Sequence, residues 1–137
     1  AEALLEEVAG RGLPAWLSMT CAGDRLRSGD DPVPVWRAAR DVPEVIAVGV
    51  NCTDPRDLPA LLPPARAESA LPLVAYPNSG EGWDGIRRTW VGESGFDADA
   101  VCRWLASGAR LVGGCCRVTP AQVADITRVV RGTASAQ

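Results

Sequence analysis

Cys115 and Cys116 are adjacent and follow Gly113-Gly114, and Cys52 closes the run Gly49-Val50-Asn51-Cys52. Thiolates are nucleophiles and soft metal ligands, and zinc takes sets of such donors. Neighbouring side chains at a strand end point different ways, so a vicinal pair can serve one centre only if the backbone turns there. The two glycines permit that turn. A cysteine by itself usually packs as a small hydrophobe, which suits Cys21 at the end of an apolar run and Cys102 beside Val101 in a helix. No sequence spacing ties Cys52 to Cys115 across the residues between them, so the residues alone leave the metal and packing readings both open. Five cysteines, an odd number with two of them adjacent, fit metal or thiol chemistry better than a disulfide framework. The chain contains no His, which excludes a Ser-His or Cys-His triad and any His-ligated metal within it.

A second polar group is Pro77-Asn78-Ser79-Gly80-Glu81, and Asn51 precedes Cys52. Asn51, Asn78, Ser79 and Glu81 are candidates for holding the amino-acid ends of a substrate, Glu81 being suited to an ammonium group. For Asn78 and Ser79 ordinary turn chemistry is the competing explanation. Among the five tryptophans, Trp16, Trp36 and Trp104 fall in predicted elements and read as core, while Trp83 and Trp90 flank the loop and remain open.

These residues need elements to position them. Apolar, β-branched runs over residues 15–21, 45–50, 73–76 and 110–112 alternate with amphipathic segments, the pattern of βα units around a parallel sheet. The three chemistry-bearing segments follow the second, third and fourth runs, and active sites of parallel barrels lie at the C-terminal strand ends. Helices are expected over residues 2–8, closed by Gly10 or Gly12, over 33–40, and over 98–106 with Asp97 as N-cap. The final helix has Thr119 as cap, Pro120 at its first position and Gln122 in a capping box, with Val123, Ile126, Val129 and Val130 as its buried stripe. Pro59 and Pro63-Pro64 limit residues 54–67 to a short, broken helix at most. Residues 1–131 read as one partial domain and 132–137 as a flexible tail.

Together, Gly-Val-Asn-Cys at 49–52, Pro-Asn-Ser-Gly-Glu at 77–81 with Trp83-Asp84, and Gly-Gly-Cys-Cys at 113–116 with Arg117 to Pro120 following, resemble the homocysteine S-methyltransferase family. The likeness runs from about Trp16 to Val130 and is strongest toward the enzymes that use S-methylmethionine. It implies an α/β fold made of the C-terminal four βα units of a (β/α)8 TIM-type barrel, with parallel strands. It also implies Zn²⁺ held by Cys52, Cys115 and Cys116, with the fourth position left for homocysteine sulfur. The implied reaction moves a methyl group from S-methylmethionine, or from S-adenosylmethionine as second choice, to homocysteine thiolate, giving methionine. No catalytic residue beyond the zinc ligands is expected.

Such a barrel needs about 250 residues and this chain has 137. The resemblance therefore places the first four strands outside it, together with the glycine-rich first loop and the fourth-strand acidic residue that help hold homocysteine in the family. Four parallel strands leave two edges open, so self-association or pairing with an N-terminal half is expected. Two other readings stand beside the enzyme: an inactive or split half-barrel fragment, and a structural or redox thiol site without methyl transfer. The net charge of −3 offers no basic surplus for nucleic acid. No apolar run is long enough to span a bilayer and the N-terminus is not signal-like, so no membrane partner and a cytoplasmic location are expected.

Overall fold

Four parallel strands form the central sheet: β1 (Ala15–Met19), β4 (Val45–Asn51), β5 (Leu73–Tyr76) and β8 (Ala109–Val112), neighbours in that order. The structure, a computed structural model, describes residues 2–134. The helices α1 (Glu2–Val8), α2 (Val33–Ala39), α3 (Leu58–Ser69), α4 (Ala98–Ala106) and α5 (Pro120–Ala134) alternate with the strands as the sequence predicts. Two short hairpins, β2 (Cys21–Ala22) with β3 (Arg25–Leu26) and β6 (Gly82–Asp84) with β7 (Thr89–Val91), were not predicted; they sit on the loops after β1 and β5.

The strands are covered on one face. Leu17, Met19, Val48, Val50, Leu73 and Ala75 point toward the helices and join Leu5, Trp36, Leu58, Leu61, Leu62, Val101, Trp104 and Ile126 in the core. The register places Trp16, Ser18, Gly49, Asn51, Tyr76 and Leu111 on the opposite face. That face is open: Trp16 is 57% and Leu111 44% exposed. Trp16, expected in the core, lies outside it because its neighbours Leu17 and Met19 take the helix side and alternation sends Trp16 the other way. Trp36 and Trp104 are fully buried as expected.

Helix α3 overturns the expectation of a short, broken segment. It runs for 12 residues with Pro63 and Pro64 inside it. An interior proline costs about 3 kcal/mol because it lacks an N–H and crowds the preceding turn. Leu58, Leu61 and Leu62 are buried to 1% exposure or less, and each contributes roughly 1.5–3 kcal/mol. The packing face wins over the local preference. The predicted caps are present at the other helices. The Asp97 side chain accepts from the Ala100 N–H, and Thr119 and Gln122 exchange the two bonds of a capping box. In the stripe of α5 Ile126 is buried, Val129 and Val130 are half-buried, and Val123 is 45% exposed. The helix continues to Ala134, past the expected boundary at 131; residues 135–137 lie outside the described residues. Among the described residues no helix is long and apolar enough to cross a membrane.

Candidate functional site

The C-terminal ends of β4, β5 and β8 bring all three chemistry-bearing segments to one rim. Cys52 follows β4 in a left-handed conformation, φ 46°. That residue turns the chain back, its N–H donating to the Tyr76 carbonyl at 3.2 Å. On the other side Gly113 N–H donates to the Ala75 carbonyl, and Cys115 N–H to the Pro77 carbonyl at 2.8 Å. A Cβ on Gly114 would run into the side chain of Val118, so the turn that brings both cysteines to the rim requires glycine there.

The Sγ atoms of Cys52, Cys115 and Cys116 all lie within 4.8 Å of one another. Cys116 Sγ is 3.7 Å from Cys52 Sγ and 3.9 Å from Cys115 Sγ. Thiolates bound tetrahedrally at a zinc–sulfur distance of about 2.3 Å stand roughly 3.8 Å apart, so the donor types and the two distances from Cys116 suit a soft divalent metal, whereas the Cys52 and Cys115 sulfurs stand closer, at bonding distance. Cys52 and Cys115, 5.6 Å apart at Cα, are joined by a disulfide. The expectation was metal or thiol chemistry rather than a disulfide framework; the turns after β4 and β8, on either side of β5, converge over its end until the two Cα atoms lie within disulfide range. With Cys52 and Cys115 joined, Cys116 is the remaining thiol of the three, and ligation of a metal by all three would require two-electron reduction of that bond. Of the two cysteines set aside as packing, Cys21 is 1% exposed, and burial pushes its thiol up to about 11. Cys102 is exposed, contrary to expectation, because the buried side of α4 carries Ala100, Val101 and Trp104 and the helix turns Cys102 away.

The loop at 77–81 is a strut between the two cysteine segments. Asn78 N–H donates to the Thr53 carbonyl and Ser79 N–H to the Cys116 carbonyl, each at 3.0 Å. The Asn78 side chain reaches the Cys52 carbonyl at 3.4 Å and accepts from Gly80 N–H. Asn78 and Ser79 are both buried. Glu81 accepts from Ser79 Oγ at 2.7 Å and from Arg117 Nε and Nη2, each at 3.1 Å. The Arg117 guanidinium and then the Ser79 hydroxyl hold the Glu81 carboxyl below the usual range. Asn51 stands on the open face of the sheet, accepting from Ser18 Oγ at 3.0 Å.

Sequence reasoning missed two residues here. Thr53 is fully buried; it accepts from Cys21 N–H at 2.9 Å and donates to the Asn51 carbonyl at 3.0 Å, tying the turn at Cys52 to β2. Its only sequence signal was adjacency to Cys52. Arg117 was read only as part of the Gly-Gly-Cys-Cys neighbourhood, and its partner Glu81 is 36 residues away.

Four parallel βα units with three converging cysteine sulfurs at their C-terminal rim make a partial α/β barrel with a sulfur-lined centre. The chain belongs to the homocysteine S-methyltransferase family, whose sequence model matches residues 1–130. It is 40% identical over 129 residues to homocysteine S-methyltransferase 3 of Arabidopsis thaliana, covering 90% of this chain and 37% of that protein. Identity to the selenocysteine methyltransferase of Astragalus bisulcatus is 42% over 122 residues, 85% of this chain and 36% of the relative. The homocysteine S-methyltransferase of Escherichia coli K12 is 41% identical over 116 residues, 82% of this chain and 37% of the relative. Among solved structures, the metallated form of the E. coli homocysteine methyltransferase MmuM superposes with a TM-score of 0.74 at 35% identity, covering 93% of this chain and 40% of that one. The oxidized form of the same enzyme gives a TM-score of 0.73. The chain thus spans about two fifths of the length of these relatives.

Proposed function

We propose that this chain supplies the zinc-thiolate half of a methyltransferase that moves a methyl group from a sulfonium donor to homocysteine, giving methionine. The observation that carries the reading is the convergence of the Cys52, Cys115 and Cys116 sulfurs at one rim, all within 4.8 Å of one another. Zinc held there would lower the thiol pKa of homocysteine and keep its sulfur nucleophilic at neutral pH. The three cysteines would supply a net negative ligand set, leaving one position for the substrate. The new C–S bond forms as the sulfonium C–S bond breaks; the donor leaves as a neutral thioether and the homocysteine proton passes to solvent. This chemistry needs no general base on the protein, which agrees with the absence of His. S-methylmethionine is the favoured donor and S-adenosylmethionine the second. Asn51, beside Cys52 on the open face, is proposed to contact an amino-acid end of the substrate. Asn78, Ser79 and Glu81, expected to share that role, have their polar groups engaged within the 77–81 loop and with Arg117, and are proposed to shape the rim instead.

The uncovered sheet face favours completion of the pocket by four further βα units. Trp16 and Leu111 lie bare on it, and β1 and β8 each have an unpaired edge within the sheet. Closure to eight strands would satisfy both. The units are proposed to come from an N-terminal half, with self-association of this chain as the alternative source.

The test is to reduce the chain, load it with zinc, dialyse it, and measure retained metal, then methyl transfer with and without a co-expressed N-terminal half-barrel. Stoichiometric zinc, lost in Cys115→Ala, and transfer from S-methylmethionine only when both halves are present are the expected results. Absence of zinc retention in the reduced chain, alone and with the other half, would leave a redox or structural thiol site, the reading that the Cys52–Cys115 bond favours.

A further inference from the structure

Arg117 comes directly after Cys116 and has φ 67°, a left-handed conformation that side chains other than glycine rarely adopt. Its guanidinium forks onto both oxygens of Glu81, and Glu81 is only 15% exposed at its side chain while Arg117 is half-exposed. Ser79 Oγ occupies a further site on Glu81 Oε2. Both carboxylate oxygens are therefore committed inside the protein, which leaves this residue poorly placed to receive a substrate ammonium group. The same Ser79 receives the Cys116 turn through its backbone, its N–H bonding the Cys116 carbonyl. A closed ring results, running from Cys116 through Arg117, Glu81 and Ser79 back to Cys116. On its far side the 77–81 loop is tied to the Cys52 turn through Asn78, by bonds to the carbonyls of Cys52 and Thr53.

We infer that Glu81 and Arg117 are positioning residues: their paired fork locks the turn that sets Cys116 Sγ against Cys52 Sγ, rather than binding substrate. The inference rests on the proposed three-thiolate site and concerns residues that support its ligands without joining them. Backbone bonds from Cys115 to Pro77 and from Ser79 to Cys116 survive loss of the fork, so the fold persists while the exposed Cys116 sulfur gains freedom. A bidentate guanidinium–carboxylate pair is specific in its geometry, so lysine at 117 keeps the charge and loses the clamp.

The test compares Glu81→Gln, Arg117→Ala, Arg117→Lys and the Glu81→Gln/Arg117→Ala double variant with the parent, all reduced. Zinc affinity is read by chelator competition, site geometry by the absorption spectrum of the Co²⁺ form, and thiol convergence without zinc by arsenite, which takes up three thiolates. Loss of a partner that orients metal ligands typically weakens binding on the order of 10- to 100-fold. Each single variant should lose affinity in that range for zinc and for arsenite, with a shifted Co²⁺ spectrum and an unchanged thermal midpoint. The double variant should be no worse than either single one, since both break one interaction. Arg117→Lys should resemble Arg117→Ala. Affinities within twofold of the parent together with an unaltered Co²⁺ spectrum in Glu81→Gln would overturn the inference. Should the parent itself retain no zinc, the three-thiolate zinc reading fails, and arsenite affinity alone decides whether the clamp positions the sulfurs.

Discussion

Gly49 lies in the middle of β4, paired with Ser18 on one side and Val74 on the other, three residues before Cys52. A Cβ there would overlap the Val74 carbonyl oxygen and stand 2.7 Å from its carbon and 2.9 Å from its nitrogen. Carbon atoms in comfortable contact are about 3.5 Å apart or more, so Gly49→Ala forces β4 and β5 apart by close to 1 Å. These contacts are backbone and cannot swing aside. The bonds from Val48 N–H to Pro72 and from Cys52 N–H to Tyr76, at 3.1 and 3.2 Å, would then stretch beyond useful range. Losing two ladder bonds costs about 1 kcal/mol each, and leaving their groups unsatisfied adds about as much again. The expected loss is about 3–5 kcal/mol, a large share of the roughly 5–15 kcal/mol that holds a domain together. Urea unfolding followed by fluorescence of the buried Trp36 and Trp104 reads it directly. Zinc retention should fall too, because Cys52 moves with β4. Gly132→Ala is the control: a Cβ there meets nothing within 4 Å inside α5, and alanine should stabilise that helix by about 0.5–1 kcal/mol. A Gly49→Ala chain within about 0.5 kcal/mol of the parent would refute the steric reasoning, since that is the ordinary scatter of surface substitutions.

Asp97→Ala removes the cap on the Ala100 N–H and should cost about 1 kcal/mol in the same urea assay. Trp104→Ala, which empties a site 1% exposed against Phe96, should cost about 3–5 kcal/mol. Trp104→Phe should cost far less, because the Trp104 indole N–H is buried without a hydrogen-bond partner. In the reduced native chain at pH 8, iodoacetamide should label Cys102 and Cys116 and spare Cys21, as shown by peptide mass mapping. The folded-state pKa of Cys21 is raised, from 9.0 to about 11. The neutral thiol is thus favoured by folding: its contribution is complete below pH 9 and is lost as the pH rises toward 11. Unfolding midpoints measured across that window should fall more in the parent than in Cys21→Ala.

Much of the scaffold could be read from local pattern. Continuous apolar runs marked all four sheet strands, and Asp97, Thr119 and Gln122 marked helix starts, because strand burial and capping each depend on residues within a few positions of one another. Cys52, Cys115 and Cys116 stood out by type, by their glycines and by resemblance. Interactions between distant segments decided the rest. The prolines of α3 spoke against a long helix, and the packed face of Leu58, Leu61 and Leu62 overruled them. Trp16 looked like core until strand alternation turned it to the open face, and Cys102 until the helix turned it to solvent. The sequence by itself determined which side chains could do chemistry and which elements would carry them. Only the tertiary structure decided that Cys52 meets Cys115 and Cys116, that Thr53 anchors the Cys52 turn to Cys21, and that Glu81 is held by Arg117. Those contacts join residues far apart in the chain, and the order of parallel strands, rather than any local spacing, sets their distance.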